Sequence, residues 1–331
     1  MINIFYHPVY FKTKKVFVTK HFKYSIFYNL LIDLCYLLNI PMPNNLITAG
    51  PQQRFNHLIK STKNNKNFKL KKNKYPYSYI VQFDEYGQRI LDDLLASERK
   101  GRKILIGPLY SIENLKKLSK IIQSNDGIKV LTASKPAYKN LVHEMGLEIS
   151  EEKVSMLPSG VISKDDAMKN INNMGRKKNH CLIYIKKRDP KEVSELTHYL
   201  KNNQISYDVF EYGHYKNKIL EKAAKSSEFG IVLGTTESQG FAIQSLLACN
   251  LPLIVIDKKI NHYGEYKLTG TTVPYWSNKC GVTVNTIDEC KIELLNFIAE
   301  LKNYSPSEMV IENLTYEVFI KNLITEFKKD F

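Results

Sequence analysis

The sequence predicts an α/β chain whose parallel strands are covered by helices on both faces, organised as two domains. Three observations carry this. From residue 77 onward short apolar runs alternate with helical patterns, the signature of crossover helices between parallel strands. The alternation restarts near residue 163, just after the turn-forming Pro158-Ser159-Gly160. The chain has 331 residues, enough for two domains of about 150 residues each.

Residues 1–6 read as a first strand and lack the tripartite design of a secretory signal. Residues 24–40 are the most apolar stretch, but Asn29, Asp33 and Asn39 interrupt it. A membrane span needs ~18 uninterrupted apolar residues, so this segment reads as an amphipathic or core helix. Residues 60–74 are biased toward Lys and Asn and read as an exposed loop. Strands follow at 77–83, 103–106, 129–133 and 154–157, separated by helices at 88–100, 111–123 and 136–145. Leu115, Leu118, Ile121 and Ile122 share one face of the second of these helices. After the restart, helices at 167–174, 191–200, 218–225 and 241–249 alternate with strands at 180–185, 207–211, 229–233 and 253–256. Helices at 287–301 and 306–327 close the chain. No solenoid-period repeat is present.

The composition, 43% hydrophobic and 24% charged, is that of a globular protein and not of a disordered chain. The cysteines, Cys35, Cys181, Cys249, Cys280 and Cys290, lack CxxC or Cys/His spacing. They read as reduced thiols of a cytoplasmic protein without a structural zinc site. The net charge of +15 is uneven: residues 1–74 hold thirteen Lys/Arg against the single acid Asp33. Such asymmetry attracts polyanions, namely anionic lipid headgroups, acidic glycans or nucleic acid; a solvated lysine-rich loop is the plainer alternative. No helix-turn-helix, RNP or zinc pattern accompanies the charge, so a nucleic acid partner is not expected.

Open parallel sheets bind ligands beyond the carboxyl ends of their strands. Three loops of the C-terminal half carry residues suited to a phosphorylated ligand. Lys186-Lys187-Arg188 follows the strand at 180–185 and offers three cations to a diphosphate. Tyr212-Gly213-His214-Tyr215 follows the strand at 207–211. Its glycine permits close approach, and an aromatic ring there can border a base. The third loop runs from Gly234 through Glu237, Ser238, Gln239 and Gly240 into the helix that starts at Phe241 and Ala242. A helix start favours negative charge. Glu237 beside it suits hydrogen bonds from sugar hydroxyls. A solvated turn for the first loop and a helix-capping role for Glu237 are the structural alternatives.

This third segment resembles the donor-site signature of GT-B glycosyltransferases, nearest to family 4: a Glu, seven residues, a second Glu, then Ala-x-Ala-Cys-Gly-x-Pro. Glu237 stands at the first Glu, and Ala248-Cys249-Asn250-Leu251-Pro252 falls in the register of the closing segment. Ser245 occupies the second Glu position and Asn250 the usual glycine. The resemblance covers residues 128–257 and includes the strand ending in Ser134 and the linker Pro158-Ser159-Gly160-Val161. The family's usual Gly-Arg before the phosphate site is absent.

The resemblance implies a GT-B fold, two Rossmann-like domains with parallel sheets facing across a cleft. Residues 1–162 would bind the acceptor and residues 163–305 the nucleotide-sugar. The C-terminal helix, residues 306–331, would pack back onto the N-terminal domain. It implies transfer of a hexosyl or pentosyl unit, with retention, from a UDP- or GDP-sugar to a glycan or glycoconjugate, with no cofactor and no metal. Carried over, Glu237 contacts the sugar and Lys187 and Arg188 the diphosphate. Lys186, Tyr212, Gly213, His214, Ser238, Gln239, Gly240, Phe241, Ala242 and Ser245 would complete the donor site. No protein nucleophile and no second carboxylate placed for double displacement are evident. The basic N-terminal region would bring such an enzyme against an anionic membrane. Two further readings stand beside this one: a GT-B protein that binds but does not transfer, which Ser245 permits, and a basic nucleic-acid-binding protein.

Overall fold

A computed structural model describes residues 2–5, 50–62, 65–70, 76–97, 101–110, 112–171, 175–329 and 331. The expected helix at 24–40, Cys35 and the lysines from Lys12 to Lys23 lie outside them. Two parallel sheets dominate. The first contains β1 (Ile2–Phe5), β2 (Phe68–Leu70), β3 (Tyr77–Phe83), β4 (Lys103–Tyr110), β5 (Ile128–Thr132) and β6 (Val154–Met156), in the order β2-β1-β3-β4-β5-β6. Each adjacent pair is parallel. The helices of this half are α1 (Gly50–Thr62), α2 (Glu85–Ala96), α3 (Leu115–Gln123) and α4 (Lys135–Lys139), the last running on into a π-helical turn at Asn140–Glu144.

The second half begins at α5 (Lys164–Ile171) and alternates β7 (Lys177–Ile185), α6 (Pro190–Asn202), β8 (Ser206–Glu211), α7 (Asn217–Ser226), β9 (Ser227–Leu233), α8 (Phe241–Ala248) and β10 (Leu253–Ile256). An antiparallel hairpin follows, β11 (Ile260–Tyr263) and β12 (Tyr266–Thr269), and then β13 (Gly281–Val284) and α9 (Ile287–Ala299). The sheet order is β13-β10-β9-β7-β8, again parallel throughout. Four buried apolar clusters cover the two faces of the two sheets. Double burial explains why the central strands read as continuous apolar runs rather than alternating ones.

The strands β11, β12 and β13 are not among those expected from the sequence, and two expected elements take another form. The stretch 60–74 is not wholly an exposed loop: α1 reaches Thr62 and β2 pairs with β1. Phe68 is the reason, since its ring is buried in the same cluster as Ile2 and Ile4. The terminal helix is broken in two, α10 (Pro306–Asn313) and α11 (Tyr316–Lys328), with Thr315 accepting from the Val318 N–H to cap the second. Met309 and Val310 of α10 pack on the second sheet's core. Phe319, Ile320, Leu323 and Phe327 of α11 pack on the first. The chain therefore crosses between the halves twice, side by side. Val161 N donates to Leu314 O (2.8 Å) and Tyr316 N to Ile162 O (2.9 Å). A Cβ on Gly160 would sit 2.5 Å from Thr315 O, so only glycine lets the two crossings touch.

Among the described residues no helix is long and apolar enough to cross a membrane. Cys181, Cys249, Cys280 and Cys290 are free and buried.

Candidate active site in the cleft between the two sheets

The strands of both sheets aim their carboxyl ends at a shared cleft. A cavity of about 300 Å³ lies there, walled by Gln53, Arg54, Pro108 and Thr132 from the first half and by Tyr184, Lys186, Tyr212, Glu237 and Phe241 from the second. That volume is at the lower end of small-molecule sites, which span roughly 300–1,000 Å³.

The turn after β7 decides where the three predicted cations go. Lys186 N donates to Leu233 O (2.9 Å), continuing the ladder. Lys187 then takes a left-handed conformation with φ 52°, and successive side chains diverge. Lys186 enters the cavity, where its Nζ lies 2.6 Å from Glu237 Oε1 and 4.6 Å from the centre of the Tyr212 ring. Lys187 is exposed and does not line the cavity. Arg188 turns beneath the sheet edge, with its side chain 3% exposed. Its Nε and Nη2 hold both oxygens of Glu192 (2.8 and 2.7 Å), and Nη1 donates to Gly234 O (3.2 Å) and Ile256 O (3.1 Å). This corrects the expectation that Arg188 faces a diphosphate. Every edge of its guanidinium is committed to tying the ends of β9 and β10 to α6.

Glu237 hangs from the loop after β9, its N–H donating to Thr271 O (3.0 Å). The side chain is 13% exposed. Burial pushes its carboxyl above the ordinary value, while the neighbouring charges of Lys186 and Lys187 oppose that rise. Gly240 adopts φ 80°, and among the described residues no side chain caps α8. Phe241 and Ala242, the first residues of that helix, line the cavity, and the first N–H groups of the helix are unclaimed by a side-chain cap.

The cavity brings together Lys186, Tyr212, Gly213, Glu237, Ser238, Gln239, Gly240, Phe241 and Ala242 from the sequence-predicted set. His214 is exposed beside Glu211, with its Nδ1 3.3 Å from that carboxylate, and stays outside. Ser245 also stays outside, because its hydroxyl donates back to Phe241 O (2.9 Å) within the helix. Gln239 lines the cavity but is 2% exposed, and its amide does structural work. Its Oε1 accepts from Ser159 N (3.0 Å) and Arg54 Nη1 (3.4 Å), and its Nε2 donates to Ser159 O (2.8 Å) and Gln244 Oε1 (3.0 Å).

Gln239 belongs to a seam of polar contacts joining the halves. Gln53 Nε2 donates to Asn217 Oδ1 (3.2 Å), Ser134 Oγ to Ser238 O (2.6 Å), and the Tyr275 hydroxyl to Ala133 O. Asn140 grips the β12 end of the hairpin, donating to Thr269 O (2.8 Å) and accepting from Thr269 N (2.9 Å).

Sequence reasoning missed the first half's contribution, above all Gln53 and Arg54. A signal existed: Arg54, Leu58 and Thr62 lie four apart, on one face of α1, and all three are buried. The same face places His57 one turn from Lys60, against Phe241 (ring centroids 5.3 Å) and Tyr316 (5.9 Å). Its Nδ1 is enclosed and has no hydrogen-bond partner among the described residues. Burial, helped by the charges of Lys60 and Arg54, lowers the His57 imidazole from 6.5 to about 3. A depressed folded value means that the neutral ring stabilises the fold above pH 6.5 and that this contribution fades as pH falls toward 3. The loss amounts to a few kcal/mol, on the order of 1.4 kcal/mol for each pH unit of depression. His57→Phe, which keeps an aromatic ring there, is expected to unfold less readily than wild type at pH 4.5 relative to pH 7.5. Parallel denaturation midpoints at both pH values would remove His57 from the account.

No protein family and no curated protein matches the sequence. Among solved structures, the chain is similar to the lipopolysaccharide outer core galactosyltransferase WaaB in its apo form. The TM-score is 0.50 at 12% identity, over 83% of this chain and 79% of that one. Two others are similar at lower scores. TarM of S. aureus gives 0.47 at 12% identity over 83% of this chain. Sucrose-phosphate synthase of Thermosynechococcus elongatus gives 0.45 at 10% identity over 99% of this chain and 98% of that one. The chain spans 59% of the length of TarM. The likeness to WaaB establishes the fold: two parallel-sheet halves facing across a cleft in the GT-B arrangement.

Proposed function

We propose that the protein is a glycosyltransferase that moves a hexosyl or pentosyl unit from a UDP- or GDP-sugar to a hydroxyl of a glycan or glycoconjugate, with retention and without a metal. The observation that carries the reading is the Lys186–Glu237 pair (2.6 Å) beside the uncapped start of α8, in the cleft of a GT-B fold. The pair supplies the two contacts a sugar nucleotide needs at its reacting bond. Lys186 and the α8 N–H groups face charge that grows on the departing diphosphate. Glu237, an acceptor of hydrogen bonds, faces the hydroxyls of the sugar.

In this reading residues 163–305 hold the donor and residues 1–162 the acceptor. Tyr212 and Gly213 border the nucleoside. With the Ser245 hydroxyl bonded to its own helix, the ribose takes its contacts from other groups of the wall. Lys186 and the N–H groups at the start of α8 do the electrostatic work that a bound divalent ion does elsewhere. The basic N-terminal region, in which Lys60 and Lys66 are exposed, draws the protein to anionic acceptor surfaces.

The test is a thermal-shift screen over nucleotide sugars, then turnover with glycan acceptors in EDTA, on anionic and on neutral vesicles. A donor at 100 times its dissociation constant stabilises by about 2.7 kcal/mol. If no sugar nucleotide stabilises the protein, the proposal falls. Stabilisation without turnover leaves a binding protein, and turnover that needs manganese removes the metal-free mechanism. Equal rates on both vesicle types remove the surface role.

A further inference from the structure

Among the described residues, Arg54 is a buried cation without a buried anion. It is 3% exposed. Its hydrogen bonds run to two neutral groups, Tyr79 Oη (Nη2, 3.0 Å) and Gln239 Oε1 (Nη1, 3.4 Å). Among the described residues no carboxylate lies within ion-pair distance of it. A guanidinium carries five N–H donors, and an uncompensated charge is costly to hold away from water. Arg188 shows how this same fold satisfies a buried arginine, with a two-pronged carboxylate and two carbonyls. Arg54 has nothing comparable, and it lines the cleft cavity.

The charge of the cavity sharpens the point. Lys186 and Glu237 also line it, and they neutralise one another at 2.6 Å. Among the described residues of the wall, Arg54 is left as net positive charge and the other members are neutral. The groups that feel its charge are the phenols of Tyr110 and Tyr275 and the neutral ring of His57.

We propose that Arg54 is a diphosphate ligand, delivered from α1 of the first half into the nucleotide-sugar site of the second. This rests on the glycosyltransferase reading above. A sugar diphosphate carries two negative charges, and a third develops as the glycosidic bond breaks and its electron pair stays on the phosphate oxygen. Lys186, shared with Glu237, offers one cation, and Arg188 is withdrawn beneath the sheet. Arg54 supplies the second, in the forked geometry that phosphate oxygens match. Its long contact to Gln239 is the one the ligand replaces. Gln239 also holds Ser159 of the linker between the halves, so diphosphate binding reaches the seam that joins them.

The experiment is calorimetric titration of the full chain and of Arg54→Met and Arg54→Lys with UDP, GDP, inorganic pyrophosphate, uridine, guanosine and glycerol 3-phosphate. Arg54→Met is expected to lose about tenfold or more in affinity for the nucleoside diphosphates and pyrophosphate. It should bind the neutral nucleosides as wild type does and melt no lower than wild type without ligand, because it relieves an uncompensated charge. Arg54→Lys keeps the charge and loses the fork, so it should fall in between, and it carries the test if the methionine variant does not fold. Nucleoside diphosphate affinity unchanged in the folded variants would overturn the proposal. So would a loss confined to glycerol 3-phosphate, which would make Arg54 a ligand of an anionic acceptor. A wild-type protein that binds pyrophosphate through Arg54 but no nucleoside diphosphate would sink the glycosyltransferase reading and leave the anion site standing.

Discussion

Arg188→Ala is expected to lower the free energy of unfolding by about 2–4 kcal/mol, a larger effect on stability than any other single change in the cleft loops. The guanidinium is 3% exposed and bonds to both oxygens of Glu192 and to the carbonyls of Gly234 and Ile256. Its removal leaves two strand-end carbonyls without their donor and a carboxylate without its counter-charge. Hydrogen bonding to Arg188 is the main reason that the Glu192 carboxyl sits below its ordinary value. Because Glu192 is 35% exposed, water recovers part of the loss, and the lower half of the range is the better expectation. Arg188→Lys should recover little, since an ammonium has three donors for four acceptors and lacks the guanidinium fork. Urea denaturation of both variants measures this, with nucleotide titration alongside. A variant that unfolds like wild type but no longer binds nucleoside diphosphate would return Arg188 to the ligand.

The contrast between Lys186 and Arg188 marks what the sequence can carry. Three successive cations at a strand end are visible as composition, and the buried strand before them is visible as an apolar run. The left-handed φ of Lys187 is not visible, because a lysine announces no such turn. That one dihedral sends the three side chains to the cavity, to solvent and beneath the sheet. The β9–α8 loop was more legible. Its strand, its glycine and the helix after it are local features that mark the loop and the α8 start, although the side chain and backbone of Glu237 are held by the distant Lys186 and Thr271.

The first half's share of the site was hidden for the opposite reason. Arg54 reaches Gln239 across 185 positions of sequence, and among thirteen basic residues in 1–74 it looks like one more surface charge. Its four-residue spacing with Leu58 and Thr62 and its burial separate it from the exposed Lys60 and Lys66. The hairpin of β11 and β12 escaped for want of pattern. Its side chains are mostly exposed and none is fully buried; the alternation of Tyr266–Thr269 runs for only four residues, and the hairpin is held by contacts such as Asn140 to Thr269.

Glu237→Ala should reduce sugar transfer about 10- to 100-fold, the weight of a charged hydrogen bond of ~1.5–3 kcal/mol, while leaving affinity for free UDP or GDP undiminished. Those ligands carry no sugar for Glu237 to hold. The variant also frees Lys186, now paired with Glu237 at 2.6 Å, to give its whole charge to phosphate, so tighter nucleoside diphosphate binding is the expected direction. Lys186→Ala should weaken both nucleotide binding and transfer. It also strips Glu237 of the nearest charge opposing the effect of burial, so the carboxyl moves further toward its protonated form and transfer in this variant should fall more steeply as pH is lowered. The two residues touch, so their effects should be non-additive. In the double variant the gain in nucleotide affinity from losing Glu237 disappears, because the lysine it released is gone. Calorimetry with nucleoside diphosphate beside a turnover assay on the three variants reads all of this. Transfer at the wild-type rate by Glu237→Ala, or normal nucleotide affinity in Lys186→Ala, would move the donor out of this part of the cleft.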